Sequence, residues 1–430
     1  MSDFSIIQFS TVPICLLMAY MAKYNNRNRH NPMFLFNIEW GLILGLALFN
    51  TLGFYTIKEY TAFIILLGVL AFNIGIFCRS KFVDNAYDYN IVNVERFIQM
   101  PANRLIVEVI FIFPPLYLAT KMMKVLPMLQ AGLSYGYIRV QYWTTKTIVT
   151  SGFDYFLNNT VCKAFELVLV TYFLLEIFQK RVKIRHLILT ICTIVLEVFI
   201  AGGRMILLET IFAIAIIFSI SGISYEIPKK FRRRIKRFLY VIVVLGILGI
   251  VFMTGDRQSD MSVSGAVLSN STLCLPLMDH LIDIVHSTGD MTYGFTFFRG
   301  IFELICTFTG PLGVFEFPDI LTQLDKYTNP FYPISNTQTA NAYTSMFFDF
   351  YLDFRLLGVF VGCLIFGFLI QRAYLRMRDY PSDKNIIIYI IFAKAVLYSF
   401  FQWRFMMGSY VLAVIVAILM YIPMQKGDLI

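Results

Sequence analysis

About eleven apolar stretches, each long enough to cross a bilayer, are separated mostly by short connections, and Lys and Arg gather in every second connection. A membrane-spanning helix needs about 20 predominantly apolar residues. The stretches fall near 4–21, 33–55, 60–78, 105–121, 160–178, 186–202, 205–222, 238–253, 343–371, 385–402 and 405–423. With 58% hydrophobic and only 15% charged residues, the 430-residue chain lacks the charged surface that a soluble core of this size needs. The expected fold is therefore an all-α polytopic membrane protein with about eleven transmembrane helices (about ten to twelve, since each boundary is loose). Residues 1–430 are expected to form a single integral membrane domain.

Charge sets the expected orientation. Cytoplasmic loops carry an excess of Lys and Arg. An outside N-terminus makes 22–32, 79–104, 179–185, 223–237, 372–384 and the C-terminal tail cytoplasmic, and these hold most of the 36 basic residues. The opposite orientation would place the cluster Lys229, Lys230, Arg232, Arg233, Arg234, Lys236 and Arg237 outside. The net charge of +9 lies in such juxtamembrane clusters, next to anionic lipid headgroups, so a nucleic-acid partner is not expected. The first stretch lacks a basic n-region and a small-residue cleavage site, and reads as a retained helix.

One connection breaks the short-loop pattern. Residues 254–340, between the eighth and ninth stretches, form a long loop on the Lys/Arg-poor, extracytoplasmic side. It carries nine acids against Arg257, Arg299 and Lys326. Loops this long are usually functional or disordered, and its apolar content argues against disorder. Short helices are expected at Leu273 to His286 and at Phe297 to Thr307. Cys274 and Cys306 can pair as a disulfide or stay as thiols. A second outer segment, Met122 to Asn159, holds Tyr135, Tyr137, Tyr142, Trp143 and Arg139.

The arginines on the outer side are the residues that need explaining. Arg204 follows Gly202-Gly203 at the tip of an apolar hairpin, where adjacent glycines allow close backbone approach to a ligand. A guanidinium fork matches phosphate oxygens, although an interfacial Arg can equally snorkel to headgroups. Arg139, Arg257, Arg299 and Arg404 complete the set. Glu197 and Glu209 lie roughly 8–10 Å below that tip and are expected to be protonated or paired with Arg204, Lys163 or Lys394. Asp349 and Asp353 share a helix face at the outer boundary. They read either as a binding or general-base pair or as a solvated helix end. His280 and His286 are the outer histidines, each a candidate base or a plain surface residue. No zinc-type ligand set and no outer D-x-D are present, so neither a metal nor another cofactor is expected.

Three of these places carry a resemblance to a known family. The tip Gly202-Gly203-Arg204, the stretch Tyr293-Gly294-Phe295-Thr296-Phe297, and the run Asn341, Tyr343, Thr344, Asp353, Phe354, Gly358 together resemble the Wzy-type oligosaccharide repeat unit polymerases of O-antigen (lipopolysaccharide) and capsule biosynthesis. This chain has Arg355 where the family pattern has Gly.

The resemblance implies a GT-C-like glycosyltransferase of the bacterial inner (cytoplasmic) membrane. It would join undecaprenyl-diphosphate-linked oligosaccharides, as donor and acceptor, on the extracytoplasmic face by an inverting, metal-independent transfer. A flippase and a chain-length regulator are the implied protein partners. On this reading Arg204, His286 and Asp353 are catalytic, and Arg139, Arg257, Arg299, Asn341, Tyr343, Thr344 and Arg404 bind substrate. An O-antigen ligase-like transferase, or a polysaccharide flippase or transporter, stays open as an alternative.

Overall fold

A computed structural model describes residues 5–26, 31–81, 101–143, 145, 147–150, 152–201, 205–224, 237, 240, 243–244, 246–249, 251, 263–309 and 318–422. The described chain is almost wholly helical. The helices are α1 (Ile6–Asn26), α2 (Pro32–Leu48), α3 (Glu59–Lys81), α4 (Arg104–Gln130), α5 (Tyr135–Trp143), α6 (Gly152–Phe156), α7 (Lys163–Phe178), α8 (Ile184–Ala201) and α9 (Met205–Ser224). The long loop supplies α10 (Val263–Thr272), α11 (Cys274–Thr288), α12 (Phe295–Thr309) and α13 (Asp319–Thr328). A two-residue ladder, β1 (Tyr332–Pro333) with β2 (Thr339–Ala340), follows, then α14 (Ser345–Asp379), α15 (Asp383–Leu397) and α16 (Gly408–Leu419).

Helices occupy ten of the eleven expected stretches, and in the other, 238–253, half of the residues are described and these are helical. Among the described residues five helices, α1, α3, α4, α8 and α14, are long and apolar enough to cross a membrane, while α2, α9 and α16 are apolar but shorter. The protein is thus an all-α, membrane-type structure. Both helices expected in the long loop are present, as α11 and α12. Cys274 and Cys306 are free, buried thiols, so the disulfide does not form.

The chain divides into two compact units. The first comprises Met1–Asn90, Ser264–Arg378 and Phe392–Gly408. Within it, α2 and α3 are joined inside their apolar runs by a reciprocal pair. Asn37 Nδ2 donates to Asn73 Oδ1 at 2.8 Å and Asn73 Nδ2 returns to Asn37 Oδ1 at 3.0 Å. With no water in competition, such interhelical bonds contribute roughly 0.6–2 kcal/mol. Helices α3 and α14 meet backbone to backbone. A Cβ at Gly367 would lie 2.1 Å from Phe72 O, and one at Gly75 would lie 2.2 Å from Leu364 O. Gly367→Ala is accordingly expected to push the pair apart and cost about 1–3 kcal/mol, visible as a lower melting temperature in detergent.

Polar contacts in this first unit join the ends of several helices and the long loop. The Glu59 carboxylate accepts from Ser5 Oγ (2.8 Å) and from the Ile6 and Ile7 amides, tying the start of α3 to the start of α1. Lys58 pairs with Asp283 of α11, a hydrogen bond that raises the Lys58 pKa above its ordinary value. The Tyr55 amide donates to Ile334 O at 2.9 Å. Lys58, Glu59, Asp283 and Ile334 lie in connections read as outer, and Ser5, Ile6, Ile7 and Tyr55 lie at the adjoining ends of apolar stretches. At the opposite end of α3, Gln371 Nε2 donates to Ser80 Oγ at 3.0 Å; Ser80 lies in a connection read as inner and Gln371 is the last residue of the stretch 343–371.

The second unit comprises Ile91–Val263, Asp379–Ile391 and Ser409–Ile430. Helix α7 is apolar nearly all round and buried along almost its whole length, as expected of an interior helix. A single π turn, Leu157–Cys162, leads into it. Lys163 then bridges Glu166 (3.1 Å) and Glu197 of α8, which settles the partner of Glu197 as Lys163. The assigned inner ends again meet one another: Arg181 pairs with Asp383 at 2.9 Å, and Arg185 pairs with Glu108.

Candidate functional site

In the first unit, α14 is not one helix. Phe354 (φ −143°, ψ 33°) and Arg355 (φ 56°, ψ −135°) break it, leaving a short helix at 345–353 and a long one beyond. The short piece folds back on the long one, so that a Cβ at Gly358 would sit 2.1 Å from Phe350 O. Arg355 therefore stands in a backbone region that suits glycine. Its guanidinium offsets some of that strain: Nη2 donates to Val285 O at 3.2 Å and the group lies 5.3 Å from the Tyr351 ring centroid. The difference from the family pattern is thus a side chain tolerated at a glycine-type position. Arg355→Gly is expected to keep the fold and Gly358→Ala to lose stability by about 1–3 kcal/mol, both read by thermal unfolding.

The fold-back changes the reading of both carboxylates. Asp349 is fully buried and Asp353 is 2% exposed, so neither is a solvated helix end. Asp353 Oδ1 accepts from Thr292 Oγ1 (2.7 Å) and from the amides of Gly294 and Thr296 (both 3.0 Å), while Oδ2 accepts from the Phe297 amide (2.9 Å). These donors are the Tyr293-Gly294-Phe295-Thr296-Phe297 stretch and its neighbour. Two motif segments about sixty residues apart are therefore one structural joint. With four donors on a buried carboxylate, Asp353 serves this fold as a latch between the two segments.

Asp349 closes the next link. It accepts from Thr344 Oγ1 (3.2 Å) and from the Trp403 amide (2.6 Å), and Trp403 Nε1 donates to Phe297 O at 3.0 Å. The Thr344 and Ser345 amides both donate to Phe401 O. The Tyr343 ring stands edge-on to Phe401 at 4.4 Å. Asn341 Nδ2 donates to Asn329 O at 3.0 Å, past the end of α13. The turn at 398–407, the 341–344 segment and the Asp353 joint thus form one continuous network.

Arg404 lies in this turn and is 6% exposed. Its Cζ sits 4.3 Å from the Tyr398 centroid and 4.8 Å from that of Phe401. Nη1 reaches only the Met407 sulfur (3.7 Å), and Nε and Nη2 are buried with no hydrogen-bond partner among the described residues. Aromatic faces offset part of the desolvation of a guanidinium, by about 0.5–2 kcal/mol. The remaining cost of an unpaired buried cation is several kcal/mol. Close by, Trp40 Nε1 donates to Ser399 Oγ at 2.9 Å, which leans on Glu39 Oε2 at 3.3 Å.

The other expected site residues fare differently. Arg299 is committed to Asp325 by two bonds of 2.9 and 3.0 Å, so its fork is already filled by a carboxylate. His286 is exposed at the end of α11, and His280 rests 5.3 Å from the Tyr332 ring. Asp290, also in the loop, is held below the usual carboxylate range by the Tyr327 hydroxyl. Arg139 is exposed on α5, in the second unit. Arg204 and Arg257 lie outside the described residues. The structure thus brings Asn341, Tyr343, Thr344, Asp349, Asp353 and Arg404 together; Arg299 borders this network on α12 but is taken up by Asp325, and Arg139 belongs to the second unit. The sequence reading missed Glu39, a lone acid inside an apolar run, and Thr292, Tyr398 and Phe401.

Among the described residues no cluster of His, Cys, Asp or Glu is arranged to hold a metal ion. Compared with known proteins, the chain matches no family model, no curated protein and no solved structure.

Proposed function

We propose that this protein is a membrane glycosyltransferase that joins undecaprenyl-diphosphate-linked repeat units on the extracytoplasmic face of a bacterial cytoplasmic membrane. The observation that carries the reading is Arg404, a buried guanidinium with unused donors. It sits in a network built from the two segments that resemble the polymerase family. A lipid diphosphate is an anion that such a fork can take bidentately.

The chemistry needs little else. An acceptor hydroxyl attacks the anomeric carbon, a new C–O bond forms, and the bond from that carbon to the phosphate oxygen breaks. The diphosphate leaves with the electron pair. Charge collects on the leaving oxygens, and a preorganised donor aimed there typically contributes about 2.7–4 kcal/mol. Arg404 is the candidate for that role in the first unit, and the resemblance to the polymerase family makes Arg204, and after it Arg139 and Arg257, candidates for contacts to the diphosphate or to an acidic sugar. The hydroxyl proton goes to a base, for which exposed His286, and His280 after it, remain once Asp353 is assigned as a latch.

The reading is tested by supplying the purified protein with a lipid-linked repeat unit and resolving the glycan by size. A ladder of lengths with released undecaprenyl diphosphate is the expected result. One transfer to a different acceptor class would make the protein a ligase. Intact substrate moved across a vesicle membrane would make it a transporter. Arg204→Ala is expected to abolish the ladder while the protein stays in the membrane, and undiminished glycan from that variant would remove Arg204 from the site.

A further inference from the structure

Helix α12, in the long outer loop, presents the wrong residues for a helix in water. Its exposed residues are Phe298 (48%), Ile301 (44%), Ile305 (41%) and Phe308 (61%). They are spaced i, i+3, i+7 and i+10, so they form one continuous stripe along the helix. Arg299, Glu303 and Thr296 turn the other way. Arg299 binds Asp325, Glu303 Oε2 accepts the Gly408 amide at 2.9 Å, and Thr296 is buried.

The neighbouring helices of the same loop show the ordinary pattern. The exposed residues of α13 are Asp319, Thr322 and Lys326, and those of α11 are Asp283, His286, Ser287 and Thr288. Three helices in one loop therefore face two different media. Water accounts for α11 and α13. Four half-exposed Phe and Ile side chains need an apolar medium, because a contiguous apolar stripe is costly in water.

The depth of α12 identifies that medium. The helix backbone touches the turn before the last apolar stretch: a Cβ at Gly300 would lie 2.3 Å from Phe405 O and 2.9 Å from Met407 O. Glu303 is bonded to Gly408, the first residue of α16. So α12 sits at the level where an apolar run enters the bilayer, and an amphipathic helix at that level lies in the interface with its apolar face among the acyl chains.

We propose that α12 is an interfacial helix whose Phe298, Ile301, Ile305 and Phe308 stripe rests in the lipid acyl region. The long loop is thereby anchored to the membrane at α12, while α11 and α13 stand in water. This holds whatever reaction the protein performs.

The test uses the full chain in phosphatidylethanolamine/phosphatidylglycerol vesicles, with the exposed thiols removed as Cys78→Ser and Cys192→Ser. Single nitroxide labels are placed through Ile301→Cys, Ile305→Cys and Lys326→Cys. Oxygen concentrates among acyl chains, whereas a nickel chelate stays in water. Oxygen collisions are expected to exceed nickel collisions several-fold at 301 and 305, with the order reversed at 326. Nickel-dominated collisions at 301 and 305 would put the stripe in water and overturn the proposal. Low collision with both reagents would show that a protein surface, a second copy or another chain, covers it, and would overturn the proposal equally. Phe308→Cys, at the more exposed end of the helix, supplies the same reading where an isoleucine variant fails to fold.

Discussion

Replacing Asp353 with alanine is expected to leave little folded protein in the membrane. The substitution strips the acceptor from three backbone amides, those of Gly294, Thr296 and Phe297, and from the Thr292 hydroxyl. A buried donor left without a partner costs roughly 1–3 kcal/mol. Three or four such donors together consume much of a total stability that is typically about 5–15 kcal/mol. Asp353→Asn keeps one acceptor oxygen and is expected to fall between wild type and alanine. The amount of monodisperse protein recovered in size-exclusion chromatography after detergent extraction reads the effect. Normal recovery of Asp353→Ala without glycan formation would return Asp353 to the chemistry as a base.

Arg404→Met is expected to separate chemistry from folding in the opposite way. Methionine keeps an apolar stem against Tyr398 and Phe401 and removes a buried charge whose acceptor among the described residues is only the Met407 sulfur. Replacing an unpaired buried ion by an apolar side chain is often neutral or stabilising. Melting is therefore expected at or above the wild-type temperature. Transfer from a lipid diphosphate is expected to fall about 100- to 1,000-fold, the loss typical of one preorganised donor. Arg404→Lys keeps the charge but not the fork and should recover only part of the rate. Full activity in Arg404→Met would mean that the anion is held elsewhere. Lost melting together with lost activity would mean that Arg404 is structural.

Much of the helical layout was legible because apolar runs of membrane length, separated by basic or acidic connections, leave few alternatives. The break at Phe354–Arg355 was not legible, because an arginine occupies the position where glycine would have marked it. With a straight helix assumed, Asp349 and Asp353 looked like a pair at an outer boundary. Both are instead buried where the chain folds back. The commitment of Arg299 to Asp325 was equally hidden, since the two lie on different helices and no local spacing links them. Arg404 was legible as a stranded cation, but its two aromatic neighbours emerge only from the turn that carries it. The apolar stripe of α12 stood in the sequence at helical spacing. Only its exposure in the fold shows that it faces away from the protein.

The proposed transfer requires the long loop and the Gly202-Gly203-Arg204 connection to face away from the cytoplasm. The most direct measurement is labelling of single cysteines, Gly203→Cys and Asp319→Cys, by a membrane-impermeant maleimide in intact spheroplasts, with Cys78 and Cys192 replaced by serine. Both positions are predicted to label from outside without permeabilisation, and Lys384→Cys only after it. Labelling of Gly203→Cys and Asp319→Cys only in permeabilised cells would place these cations on the cytoplasmic side and contradict the account.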